Sequence, residues 1–157
     1  MSSAILDVHC ILGAGKKYFI KEMTIIDIES SFNQHWIFKH TSLKQDAKSR
    51  SVNSWLQRLH HGLSLDYGDV EYEEIHKIFQ SLKFKRIYVK GLYKQRIIID
   101  FMPHATVFDL ENSECPRLCQ LTRGETLACC NFHMDFNPQQ CTLNKVFALK
   151  KWYANNL

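Results

Sequence analysis

A mixed α/β domain is the fold class the sequence predicts, on three observations. Three strand-like segments follow one another at the start of the chain, helix-like and strand-like patterns alternate after them, and a long helical stripe closes the sequence. With 157 residues, 45% of them hydrophobic, the chain has the length and composition of one ordinary domain, and residues 1–157 read as a single unit.

Residues 5–12 are apolar apart from Asp7 and His9, Gly13-Ala14-Gly15 supplies a turn, and residues 18–28 are rich in β-branched and aromatic side chains. The opening therefore reads as two strands joined by a hairpin. Residues 32–38 alternate Phe32, Gln34, Trp36 and Phe38 against Asn33, His35 and Ile37, the pattern of a third strand in the same antiparallel meander. Residues 41–50 turn polar, as expected of a loop or a poorly packed surface helix. Next, Val52, Trp55, Leu56 and Leu59 recur at helical spacing, with Gly62 where a helix C-cap belongs. Asp69 is placed to cap a further helix through Glu73, Ile75, Ile78, Phe79 and Leu82. Both helices are predicted to lay an amphipathic face on one side of the sheet.

Residues 85–91 form a short buried-strand pattern ending in glycine, residues 92–101 read as a helix, and residues 106–110 as another short strand. A strand-helix-strand unit favours a parallel pair. Cys115-Pro116 is predicted to open a helix. Asn137-Pro138 gives an N-cap and a first-turn proline to a last helix whose stripe is Val146, Phe147, Leu149, Lys150 and Trp152. Three antiparallel strands, then helix, strand, helix, strand and a final helix is the layout of an RNase H-like α/β domain, with a mixed sheet flanked by helices.

The net charge of +4 is compatible with nucleic acid as a partner without requiring it. The N-terminus lacks the basic flank and apolar run of a signal peptide, and no segment has the uncharged length of a membrane span, so a soluble intracellular protein is expected. Six cysteines stand at 10, 115, 119, 129, 130 and 141, five of them in the last third. In a reducing compartment such a cluster points to metal before disulfides. Cys130-Asn131-Phe132-His133 puts a thiolate and an imidazole three residues apart, and Cys141 follows at the opening of the last helix. Sulfur and nitrogen donors of this kind suit tetrahedral zinc. Spacing leaves the fourth ligand open among Cys129, Cys119, Cys115, Asp135 and Glu125.

The segments Phe19-Ile20-Lys21-Glu22-Met23, Cys130-Asn131-Phe132-His133-Met134 and Cys141-Thr142-Leu143 resemble those that carry the Glu-His-Cys-Cys zinc signature of the Maelstrom domain. That family has an RNase H-like (DnaQ-H exonuclease-like) fold related to the DEDDh exonucleases and acts in piRNA-guided transposon silencing. The resemblance spans nearly the whole chain and implies one structural zinc held by Glu22, Cys130, His133 and Cys141. It is to a stand-alone relative: Thr142 stands where the family usually shows alanine, and no HMG-box segment is present. It also implies protein partners in a silencing complex and a place in cytoplasmic perinuclear granules, the nucleus, or both.

Ile5-Leu6-Asp7-Val8-His9, Phe19-Ile20-Lys21-Glu22 and His61-Gly62-Leu63-Ser64 resemble the start of the DEDDh exonucleases themselves, which place Asp-x-Glu on the first strand. Two-metal phosphodiester chemistry needs several converging carboxylates. Here His9 stands where the glutamate would be, the region of the second aspartate reads Lys90-Gly91-Leu92-Tyr93-Lys94, and no His-x4-Asp follows. A degenerate nuclease without catalytic residues is therefore expected. Lys83, Lys85, Arg86, Lys90, Lys94 and Arg96, interleaved with Tyr88 and Tyr93, suit phosphate contacts and base stacking. The expected function is binding of single-stranded RNA or of a partner. The alternatives are a protein-interaction module that does not bind RNA and, by the family resemblance, a metal-independent single-stranded RNA endonuclease.

Overall fold

The computed structural model describes residues 2–124 and 126–157. Strands β1 (Ser3–Leu12), β2 (Tyr18–Asp27) and β3 (Asn33–Lys39) form the expected antiparallel meander. Helix α1 (Ala47–Leu59) follows, then a two-residue β4 (Val70–Glu71) and α2 (Ile75–Ser81). Strand β5 (Arg86–Val89), α3 (Leu92–Phe101) and β6 (Thr106–Asp109) make the strand-helix-strand unit. The short helices α4 (Leu118–Leu121) and α5 (Asn131–Met134) lead to the long α6 (Thr142–Asn156).

The strands form one six-stranded sheet in the order β4-β3-β2-β1-β5-β6, with β1, β5 and β6 mutually parallel and β4 parallel to β3. This is a mixed α/β sheet of RNase H-like topology. β1 lies at its centre with every residue buried, which is why its sequence is nearly continuously apolar. Ala4, Leu6, Val8 and Cys10 enter a large core with Phe79 of α2 and Ile98 of α3. The alternate residue Ile5 joins Ile26, Val146 and Leu149 in a second core under α6. Period-two alternation thus puts Asp7 and His9 on the α6 face.

Four helix expectations are corrected. α1 begins at Ala47, inside the segment expected to be polar loop, because Asp46 and Ser49 form a capping box: the Asp46 carboxylate accepts from Ser49 N at 2.8 Å, and Asp46 N donates to Ser49 Oγ at 2.8 Å. Its inward residues are polar. Asn53 accepts from Leu12 N at 2.8 Å and donates to Leu12 O at 2.7 Å, tying the helix to the end of β1. Of the stripe predicted to face the core, Val52 and Leu56 are consequently half-buried, while Trp55 and Leu59 turn outward and are 50% and 64% exposed.

Asp69 does not cap a helix either. Its carboxylate accepts from Ile37 N at 3.1 Å, because the chain before β4 runs against β3. Gly68 allows that approach: a Cβ there would lie 2.6 Å from Ile37 O. Cys115-Pro116 likewise precedes, rather than opens, a helix that starts only at Leu118. The final helix starts at Thr142, after a separate turn over Pro138–Gln140.

Between β1 and β2 the register slips: His9 faces Glu22 while Cys10 faces Ile20, so Lys21 is the extra residue of a bulge. A bulge re-aims a side chain. The buried Lys21 ammonium donates to Phe38 O (2.7 Å), Leu65 O (3.1 Å) and Tyr67 O (2.6 Å), joining β2 to the end of β3 and to the loop after α1. Burial lowers its pKa to about 8, against a partial rise from Asp66. Lys21→Met relieves the buried charge but removes the donor to the Phe38 and Tyr67 carbonyls, while Leu65 O keeps the His40 amide at 2.7 Å. The expected net loss is about 2 kcal/mol in urea unfolding, and unchanged stability would show the clamp to be dispensable.

Candidate metal centre

Glu22, on the α6 face of β2, lies opposite His9 across the strand pair. Cys141 sits at the N-terminus of α6, held in extended backbone that separates the helix from the preceding turn. Thr142, the next residue, bonds Thr24 of β2 hydroxyl to hydroxyl at 2.7 Å, which fixes α6 on the strand at this point. Cys130 is the N-cap of α5 and His133 lies within that single turn, so the Cys-x-x-His spacing aims both side chains the same way. Segments from both ends of the sequence therefore meet at one place.

Donor atoms of Glu22, Cys130, His133 and Cys141 all lie within 4.8 Å of one another. Cys130 Sγ is 3.3 Å from His133 Nδ1, His133 Nδ1 is 3.4 Å from Glu22 Oε2, and Cys141 Sγ is 3.6 Å from Glu22 Oε2. Tetrahedral zinc, with bonds of about 2.0–2.3 Å, spaces its donor atoms roughly 3.3–3.8 Å apart. The residues fit such an ion in both geometry and donor chemistry. Glu22, His133 and Cys141 are fully buried and Cys130 is half-buried, and Glu22 Oε1 has no hydrogen-bond partner among the described residues. Among the described residues no second group of histidine, cysteine and acidic side chains converges in this way.

The surrounding bonds orient these side chains. His133 Nε2 donates to His61 O at 2.7 Å, which leaves Nδ1 as the nitrogen facing the cluster. That carbonyl is presented by a turn in which Gly62 has φ +73°, and a Cβ there would stand 2.1 Å from the Phe136 ring. The turn thus needs glycine both for its backbone and for close packing. His35 of β3 bonds Glu22 Oε2 at 2.7 Å. Backbone amides of Cys130 and His133 approach Cys141 Sγ and Cys130 Sγ, each at 3.4 Å.

Imidazoles surround the Glu22 carboxylate. Burial pushes the Glu22 pKa up, but hydrogen bonds from His133 and His35 and the charges of His9 and His133 leave it below the usual carboxylate range. Burial lowers His133, while its bonds to Cys141 and Glu22 outweigh this and raise it to about 10. His35 is raised to about 9 by the same balance.

Of the other candidates for the fourth ligand, Cys119 and Asp135 are exposed, Cys115 packs in the core under α6, and Cys129 lies outside the group. Burial and the neighbouring Cys141 raise the Cys129 thiol to about 12. Glu125 lies outside the described residues.

Asp7 is fully buried and paired with Lys94 of α3 at 2.5 Å, so the carboxylate of the nuclease-like opening faces an ammonium. The other basic residues singled out in the sequence do not form one stripe. Lys83, Lys85 and Arg96 are exposed, whereas Arg86 is half-buried with Nε donating to Ser3 Oγ at 2.9 Å. Lys90 is buried in an ion pair with Glu111. Sequence reasoning did not find His35 or His61. Neither has a ligand-like spacing to the cysteines, and both reach the cluster only through strand pairing and a turn.

Fold and site together define an RNase H-like α/β domain with a four-residue group able to hold a metal ion. Among solved structures, one similar in fold is described as "3'-end specific recognition of histone mRNA stem-loop by 3'-exonuclease", with a TM-score of 0.54 and 9% identity, covering 98% of this chain and 80% of that one. No family model matches the sequence, and no curated protein matches it.

Proposed function

We propose that the chain is a Maelstrom-type domain: a catalytically degenerate RNase H-like fold, tied together by one structural zinc, that binds single-stranded RNA in RNA-mediated transposon silencing. The observation that carries this reading is the convergence of Glu22, Cys130, His133 and Cys141, the residues the family signature requires, onto one point. With four protein ligands such a site keeps no open position for water, which makes its zinc structural rather than catalytic. The departure at Thr142 is accommodated, since its hydroxyl is satisfied by Thr24. Degeneracy is supported by Asp7, which is neutralised by Lys94, and by His9 two residues along. The RNase H-like neighbour, described as a 3'-exonuclease recognising histone mRNA stem-loop, agrees with a nucleic-acid role.

Lys83, Lys85 and Arg96 supply the exposed cations for phosphate contacts. Reversing Lys83 and Lys85 to glutamate is expected to weaken binding of a single-stranded RNA oligonucleotide and to reduce the log–log salt slope by about one per lost phosphate contact. Fluorescence anisotropy at several salt concentrations measures both. Salt-independent or absent binding by the wild-type protein would overturn the RNA reading. A second reading, a protein-interaction module, is favoured by the outward-facing Trp55 and Leu59 of α1, an apolar pair on a helix whose inner face is polar.

A further inference from the structure

His9 separates the metal centre from a second feature. Its ring lies 3.7 Å from Glu22 and also forms part of the wall of a cleft of about 600 Å³, lined further by His60, Tyr93, Lys94, Arg123 and Lys145. Two of these cations are buried, Lys94 at 8% and Lys145 at 7% exposure. Lys94 is matched by Asp7. Among the described residues Lys145 is not matched by a carboxylate: its ammonium bonds the neutral carboxamide of Gln140 at 3.2 Å. The nearest carboxylates among the described residues are engaged elsewhere, Asp7 by Lys94 and Glu22 by imidazoles. The cleft therefore holds one buried positive charge more than the described residues neutralise, and the exposed Arg123 at its edge adds another. A buried ammonium without an anion is costly, so an anionic ligand gains by entering.

The rim narrows the class of anion. Tyr93 is half exposed, and Trp55 stacks on His60 with ring centroids 6.4 Å apart and planes at 21°. Flat π faces beside a cationic pocket suit a nucleobase next to its phosphate better than a bare carboxylate or an acidic peptide. They also give the outward-turned Trp55 a use that core packing does not.

We propose that this cleft binds a phosphate of single-stranded RNA directly on Lys145 and Arg123, with the adjoining base against Tyr93 or the Trp55–His60 stack, so that ammonium groups serve where a two-metal nuclease would use its cations. The proposal rests on the RNA reading above and gives it a site distinct from the exposed Lys83 and Lys85.

Lys145→Met keeps the length of the side chain and removes a buried charge, a change cores tolerate or welcome. Arg123→Gln, at an exposed position, guards against a folding artefact. Anisotropy with a single-stranded oligouridine RNA and calorimetry with 3'-uridine monophosphate form the test. Lys145→Met is expected to weaken both ligands about tenfold or more and to lower the RNA salt slope by about one, with Arg123→Gln producing a smaller loss of the same kind. The Lys83/Lys85 reversal should affect the oligonucleotide and leave the mononucleotide unchanged. Wild-type RNA binding that both cleft variants retain would overturn this site while leaving the RNA reading intact. If neither RNA nor the mononucleotide binds the wild-type protein, both readings fall. Mononucleotide binding without oligonucleotide binding would support the phosphate site and overturn the RNA assignment.

Discussion

Purified protein is expected to carry about one zinc per chain, and Cys141→Ala to lose both the metal and much of its stability. Cys141 has no exposed surface, stands at the start of α6, and is 3.6 Å from Glu22 on β2. An ion shared by these two and by Cys130 and His133 would link an early strand to the last helix, so its binding free energy is folding free energy. Structural zinc in small finger peptides contributes on the order of 10–16 kcal/mol, but those peptides have almost no core of their own. This chain has two apolar cores, so metal loss should destabilise rather than unfold it. A fall of roughly 4 kcal/mol, read as about 10 °C in Tm, is the expected scale for chelation and for Cys141→Ala alike. Elemental analysis alongside thermal unfolding, with and without chelator, measures it. Folded protein lacking stoichiometric zinc, with Cys141→Ala as stable as wild type, would sink the metal centre.

Chelation and mutation should also be non-additive. Once Cys141 is gone, a chelator has little left to remove, so Cys141→Ala should be nearly insensitive to it. Cys129→Ala, one residue from a ligand but outside the group, should keep both metal and chelator sensitivity. That contrast separates a metal effect from the mere loss of a buried thiol.

Much of this architecture was legible in the sequence because it depends on local pattern. The meander of β1 to β3 and the span of α3 follow from period-two and helical repeats, and the structure places them close to where those repeats do. The Cys-x-x-His pair was legible for the same reason, being one turn of chain. Glu22 was not, because it lies 119 residues from Cys141 and only strand order brings them together; family resemblance, not spacing, pointed to it. Helical spacing locates α1 but not the side it buries most. Asn53 satisfies the end of β1 and so turns the polar side inward. Composition misdirects in such cases, since hydrogen-bond demand at a strand end can outweigh the burial of one tryptophan. By sequence Lys90 and Lys94 suit phosphate contacts, because lysine is rarely buried unless paired. Their partners, Glu111 and Asp7, become visible only when β1, β5 and the segment after β6 stand side by side.

Lys94→Met is expected to destabilise the protein by about 3–5 kcal/mol, because it strands a buried carboxylate. Asp7 has no exposed surface, its Oδ1 is 2.5 Å from Lys94 Nζ, and its Oδ2 has no hydrogen-bond partner among the described residues, so the ion pair carries nearly all of its compensation. Burial lowers the Lys94 pKa, but the charge of Asp7 more than offsets this and holds it above its ordinary value of 10.5. A lysine raised in the folded state binds its proton more tightly there than in the unfolded chain. Its contribution is therefore complete below pH 10.5 and is lost as pH climbs through the raised value. Asp7→Asn alone leaves the ammonium buried without an anion and should cost nearly as much. Combining the two as Asp7→Asn/Lys94→Met removes both charges together, and its stability should return most of the way to wild type. Urea unfolding of the four proteins closes the cycle, with an expected interaction energy of about 4 kcal/mol or more. Strict additivity of the two single losses would show that Asp7 and Lys94 do not compensate one another, and with that the case for Lys94 as the cation that stands against Asp7 would fail.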